Sequence, residues 1–181
     1  MRGYRSIGFT LVEILMVVVI LGIIAAIIIP QLGSRDDLKL AAAARGMIAD
    51  LSYAQSQAIA TQTRQFVVFG QTQYSLKKQS GSALQLISHP VNPGTFVVDY
   101  TSGTLSGIII SECDFAGQAT IGFDELGSPM AYNTATNTIS TLTSAGTIRI
   151  QSGDLSLTIS IEPYTGEMSV SSASGASSSG S

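Results

Sequence analysis

The chain has 181 residues, 45% of them hydrophobic and 12% charged, with a net charge of −3. That is enough for one domain with a real core, but it lacks the clustered Lys and Arg that would neutralise phosphates, so a nucleic-acid partner is disfavoured. One cysteine, Cys113, excludes an intrachain disulfide.

Residues 1–8 form a short leader carrying Arg2 and Arg5. Between Arg5 and Arg35 the only charged residue is Glu13, set in an almost wholly apolar run. From Phe9 to Ile29 is 21 residues. As a helix these would rise about 31 Å, close to the ~30 Å hydrocarbon thickness of a bilayer. Residues 9–30 are therefore predicted to be a membrane-spanning helix. An acid within such a helix costs roughly 2.5–3.5 kcal/mol at the bilayer centre and less near its edge. Two readings of Glu13 follow. It sits at the interface, wet or protonated, or it gains a partner when the chain is cut after Gly8. The new amine of Phe9 would then be a cation four residues away, on the same helix face if the helix begins there.

The leader is basic, whereas Arg35-Asp36-Asp37 beyond the apolar run is net acidic. The leader is therefore expected in the cytoplasm and the remainder across the membrane. A secretory signal would instead have an apolar core of about 7–15 residues and a small-residue cleavage site behind it. Here the apolar run is followed by Pro30-Gln31, and the two readings separate by N-terminal sequencing.

Gly22, Pro30 and Gly33 interrupt the pattern, and Pro30 is able to end a helix at Ile29 or bend it. Helical spacing resumes over residues 36–62, where Leu40, Ala44, Met47, Ile48, Leu51, Ala54, Ala58 and Ile59 form one stripe. Residues 31–64 are read as the amphipathic half of a long helix. Strands are predicted at 65–69, 73–76, 83–87, 95–99, 107–111, 119–123, 147–150, 155–161 and 167–170. Residues 155–161 alternate with period two, which suits a half-buried antiparallel strand. The fold class is α+β: an N-terminal helix packed on antiparallel sheet, with a β-rich domain over residues 65–170. Residues 171–181 are Ser, Ala and Gly only, and are expected to form a flexible tail.

No catalytic constellation is visible, and no cofactor or metal is called for. His89 is the only histidine and has no second ligand type at metal spacing. Cys113 lies beside Glu112 and Asp114, which would discourage a thiolate. Lys77-Lys78, the only basic pair in the sequence, reads as part of a solvated hairpin. Asp124 and Glu125 would point to opposite faces of a strand, a poor start for paired-carboxylate chemistry. The open alternatives for Asp114, Asp124 and Glu125 are turn capping and a calcium site.

Gly8-Phe9-Thr10-Leu11-Val12-Glu13 with the apolar run behind it resembles the processing motif of type IV pilins and type II secretion pseudopilins. That resemblance implies cleavage after Gly8 by a prepilin peptidase, N-methylation of Phe9, and pairing of Glu13 with a neighbouring subunit's N-terminus during assembly. It also implies that Pro30 marks a bend or a meltable segment within one long helix. Residues 54–64 followed by a Val/Phe strand resemble the GspH/FimT minor pilins and pseudopilins, as does Ile121-Gly-Phe-Asp124-Glu-Leu-Gly127-Ser-Pro129 followed later by Ile148–Ile150, Leu155–Ile161 and Thr165-Gly166. The implied role is a minor structural subunit of a pilus or secretion pseudopilus, not an enzyme. Its partners would be prepilin peptidase, other pilins, and the inner membrane before assembly, with the C-terminal domain in the periplasm. The alternatives are a DNA-binding minor pilin, which the acidic balance and uncharged tail disfavour, and an unrelated single-pass enzyme.

Overall fold

A computed structural model describes residues 10–28, 35–81 and 83–172. The chain divides into two compact units, Met1–Arg35 and Asp36–Ser181. The first contains helix α1, Leu11–Ile28. The second contains nearly all of helix α2, Arg35–Thr61, followed by eleven strands.

Helix α2 carries Asp36 and Asp37 in its first turn, where they complement the positive end of the helix dipole. Its last turn closes without glycine. Gln62 takes the left-handed conformation at φ 49°, and the Thr63 N–H reaches back to the Ala58 carbonyl at 3.3 Å. That is the Schellman arrangement, in which a residue past the helix end turns left-handed so that orphan carbonyls find donors. The Gln62 side-chain amide adds a bond to the Ile59 carbonyl at 2.9 Å, which helps offset the strain of a Cβ at positive φ.

The buried stripe of α2 is Leu40, Ala43, Ala44, Met47, Leu51, Ala54 and Ala58, each 1% exposed or less. Spacing of three and four residues puts all seven on one face, and the four alanines let the backbone lie close to what it covers. Ile59, predicted on the stripe, is 47% exposed.

Below α2 lie two antiparallel sheets. The larger runs in the order β3-β2-β1-β6-β7-β8: β3 is Ala83–Leu86, β2 Gln73–Ser80, β1 Gln65–Phe69, β6 Thr120–Phe123, β7 Pro129–Asn133 and β8 Thr138–Thr141. Strand β4, Val97–Asp99, pairs with β2 beside β3. The smaller sheet runs β11-β10-β9-β5, formed by Met168–Ser172, Leu155–Ile161, Gly146–Ser152 and Ile109–Asp114. One core joins the α2 stripe to Val67, Leu76, Ile121 and Phe123 of the larger sheet and to Ile148, Ile150, Ile159 and Ile161 of the smaller. The architecture is the expected α+β one: a helix packed on antiparallel sheets.

The sequence pattern passed over the β7–β8 hairpin. Strand β7 begins with Pro129, whose missing N–H is tolerated at the first residue of a strand. It shows no alternation because both of its faces are covered: Ala131 in the main core, Met130 and Tyr132 in a second cluster with Phe66. Strand β8, Thr-Ile-Ser-Thr, is exposed at every residue. At the chain end, Ser171 and Ser172, expected in the flexible tail, are strand residues paired with Thr158 and Leu157. Residues 173–181 lie outside the described ones.

Candidate assembly segment and the α2 clamp

The predicted processing and assembly residues are distributed as follows. Gly8, Phe9 and Pro30 lie outside the described residues. Glu13 is in the first turn of α1. Thr10 is the N-cap: its hydroxyl accepts from the Glu13 N–H at 3.3 Å, and its carbonyl takes the Glu13 and Ile14 N–H groups at 3.1 and 3.2 Å. Thr10-x-x-Glu13 thus has the spacing of a capping box, a signal the sequence offered locally. The reciprocal bond, from the Thr10 N–H to the Glu13 carboxylate, is not made. Among the described residues that carboxylate has no hydrogen-bond or ion-pair partner.

Beyond Glu13 the helix is apolar on every side. Each large apolar side chain from Leu11 to Ile24 is between 44% and 82% exposed. A helix with no polar face needs a nonaqueous environment or other helices around it. Among the described residues no helix is long and apolar enough to cross a membrane. The 18 described residues of α1 rise about 27 Å, short of the ~30 Å hydrocarbon layer. The predicted 9–30 span includes residues beyond the described helix.

The other singled-out residues have structural settings. His89 stacks on Phe96 with ring centroids 4.4 Å apart, and its Nδ1 accepts the Val91 and Asn92 N–H groups at 3.1 and 3.0 Å. Cys113 is half-buried, and burial, with a smaller contribution from the Glu112 charge, pushes its thiol up to about 12. The neighbouring acid invoked from sequence is therefore the lesser cause. Lys77-Lys78 lies within β2, between β1 and β3, not at a hairpin tip. Asp124 caps a turn, its Oδ1 accepting from the N–H groups of Leu126 and Ser128 at 2.9 and 2.7 Å. Asp114 caps another through the Gly117 N–H at 2.8 Å. Among the described residues no three metal-ligating side chains gather.

Residues 4–29 match the prokaryotic N-terminal methylation motif. The type II secretion system core protein G of Pseudomonas aeruginosa is 50% identical over 48 residues, 26% of this chain and 34% of that protein. Over this N-terminal stretch the chain is similar to that secretion protein, and it carries the methylation motif in the same place. The aligned region spans about a third of the curated relative's length. The minor pseudopilin EpsH from the type 2 secretion system of Vibrio cholerae superposes with a TM-score of 0.52 at 11% identity, covering 74% of this chain and 97% of that one. The type IV minor pilin FimU of Pseudomonas aeruginosa gives a TM-score of 0.49 at 15% identity, covering 75% and 90%. The first of these likenesses is one of fold.

Three of the segments singled out by local resemblance meet at one side chain. Gln55, on α2, donates from Nε2 to the Gly127 carbonyl at 2.9 Å and to the Thr165 carbonyl at 3.2 Å. Gly127 follows β6 of the larger sheet, and Thr165 lies between β10 and β11 of the smaller. One amide therefore ties the helix to both sheets. Gly127 and Gly166 both have positive φ, 84° and 70°. A Cβ on Gly166 would stand 2.6 Å from Gln55 Nε2, so glycine is what lets that turn approach the clamp. Alongside, Gln62 Nε2 donates to the Glu125 carbonyl at 3.0 Å and Arg64 Nε stands 3.4 Å from Glu125 Oε1. Sequence reasoning missed Gln55 because it is polar and off the apolar stripe, and nothing local marks a side chain whose partners are 72 and 110 residues away.

A part-buried polar pair joins the same helix to β2. Tyr74 Oη donates to Asp50 Oδ2 at 2.6 Å. Burial raises the Asp50 carboxyl, against the lowering effect of that bond and of His89. Burial also raises Tyr74 well above the usual phenol range and pushes Tyr100 up to about 12.

Proposed function

We propose that this chain is a minor pilin or pseudopilin, a structural subunit that is processed at its N-terminus and built into a filament of a type IV pilus or type II secretion pseudopilus. The observation that carries this reading is a carboxylate, Glu13, without a partner among the described residues, in the first turn of an all-round apolar helix and within a match to the N-terminal methylation motif. A charge in such a place is stable when a cation meets it. Cleavage after Gly8 by a prepilin peptidase supplies one at Phe9, and a neighbouring subunit's methylated amine would pair with Glu13 as the helices pack. Residues 9–30 hold the subunit in the inner membrane before assembly, with the leader in the cytoplasm and the β-rich domain in the periplasm.

The role is structural rather than catalytic. The acidic balance, eight acids against Arg149 from Asp99 onward, argues against DNA as the partner. Mass spectrometry of the mature chain is expected to find N-methylphenylalanine at Phe9, and an intact leader in cells with active peptidase would refute the processing step. Glu13→Ala is expected to leave the thermal midpoint unchanged and reduce filament incorporation at least tenfold. Normal incorporation of that variant would refute the pairing.

A further inference from the structure

The connection between β3 and β4 is a tight turn tied to one histidine. Ser88 and Thr95 pair as an isolated antiparallel bridge, and the His89 N–H donates to the Gly94 carbonyl at 3.0 Å. Inside that closure stand Pro90, Val91, Asn92 and Pro93. Proline has no N–H, so Val91 and Asn92 are the only backbone donors there. Both donate to the same atom, His89 Nδ1, at 3.1 and 3.0 Å. No Asp, Glu, Lys or Arg stands between Ser88 and Phe96.

A nitrogen that accepts two N–H groups carries no hydrogen of its own, so the ring is neutral and its proton sits on Nε2. Elsewhere in the domain the same task falls to a side-chain oxygen. Asn133 Oδ1 accepts from the Ala135 and Thr136 N–H groups at 2.9 and 3.1 Å, again two and three residues on. An amide oxygen does not titrate near neutrality, whereas imidazole is the side chain whose charge ordinarily changes between pH 5 and 8. A proton added to Nδ1 turns the shared acceptor into a donor aimed at two other donors. Both bonds are then lost together, and no backbone group within the turn can replace them.

We infer that His89 is a pH-sensitive latch: the neutral imidazole holds the 89–94 turn closed, and protonation releases it. The surroundings give the cation a place to stay while the turn opens. The ring stacks on Phe96 at 4.4 Å with the planes 29° apart, and Phe96 is buried and stacked on Tyr53 of α2 at 5.6 Å. An aromatic face attracts a cation. Asp50 of α2 lies within electrostatic reach of the imidazole and favours its charged form. Lys78 of β2, which lines a cleft together with Ser88, opposes it. The imidazolium therefore remains on Phe96 while Pro90–Pro93, with Val91 exposed at its centre, comes away. This device lies wholly within the second compact unit and is independent of the filament reading.

The test uses the full chain in detergent, without a histidine tag. His89 is the only histidine in the sequence, so the nitrogen resonances of a histidine-labelled sample belong to it alone. They are expected to show the Nε2–H tautomer at pH 8. A nitroxide placed by Val91→Cys, in a Cys113→Ser background, reports the turn. Its mobile component should rise at least threefold between pH 8 and pH 5, with the midpoint of the imidazole titration. His89→Asn keeps an acceptor at the spacing Asn133 uses and should hold the label immobile at both pH values. His89→Phe keeps the stack on Phe96 without the acceptor and should leave the label mobile at both. Thermal midpoints check that each variant folds, and if His89→Phe does not, the comparison of wild type with His89→Asn decides. The Nδ1–H tautomer at pH 8 would overturn the latch, as would label mobility that ignores pH in the wild type. So would a response to pH that survives in His89→Asn, or an immobile label in folded His89→Phe.

Discussion

Replacing Gln55 tests whether a single amide holds α2 to both sheets. Its two bonds, at 2.9 and 3.2 Å, end on the Gly127 and Thr165 carbonyls. A side-chain to backbone hydrogen bond contributes about 0.5–1.5 kcal/mol net. The Thr165 carbonyl faces solvent and would recover a water in a truncated variant, so its share falls at the low end. Gln55→Ala should then cost about 1–2 kcal/mol, a fall of roughly 3–8 °C in thermal midpoint for a domain of this size. Gln55→Glu is the sharper probe. It keeps the length and helix propensity but replaces the donor with oxygens that would face two carbonyls. It should destabilise at least as much as Gln55→Ala at neutral pH and recover part of the loss at acid pH, where a protonated carboxyl donates again. Thermal melts of the full chain in detergent, followed by circular dichroism from pH 4 to 8, give both numbers. A Gln55→Glu protein that melts with the wild type at neutral pH would refute the clamp.

Other expectations follow from single contacts. Tyr74→Phe removes the 2.6 Å bond to Asp50 and should cost about 1.5–3 kcal/mol, as for a bond to a charged group. Because the folded Asp50 carboxyl is raised from its ordinary value of 3.8, its contribution to stability is complete below that value and is lost as pH rises through the raised one. Asp50→Asn should flatten that part of the stability–pH curve and be at least as stable as wild type at pH 7; an unchanged slope would refute it. Gly122→Ala would put a Cβ 2.7 Å from the Phe66 ring and should cost about 1–3 kcal/mol by overpacking, with Phe66→Leu restoring part of it. Cys113, its thiol pushed up to about 12, should resist iodoacetamide at pH 8 until the chain is unfolded. Fast labelling of the folded protein would contradict that burial.

Local regularities in the sequence carried much of this protein. The apolar run after Gly8, the lone acid at Glu13 and the three-and-four spacing of the α2 stripe are local facts, and helix geometry turns them into faces without help from the rest of the chain. Strands exposed on one face, such as residues 155–161, were legible for the same reason: period two survives wherever one side meets water and the other the core. Strand β7 was not, because tertiary packing covers both of its faces and leaves no alternation to read.

The Gln55 clamp and the Asp50–Tyr74 pair were decided only by the tertiary structure. Each depends on bringing together groups from separate elements, and the worth of a polar side chain depends on which partner and how much water it finds there. Gln55, Gln57 and Gln62 look interchangeable along the chain. Folding gives the first two carbonyls from opposite sheets, leaves the second without a side-chain hydrogen bond among the described residues, and makes the third a cap for a helix that ends without glycine.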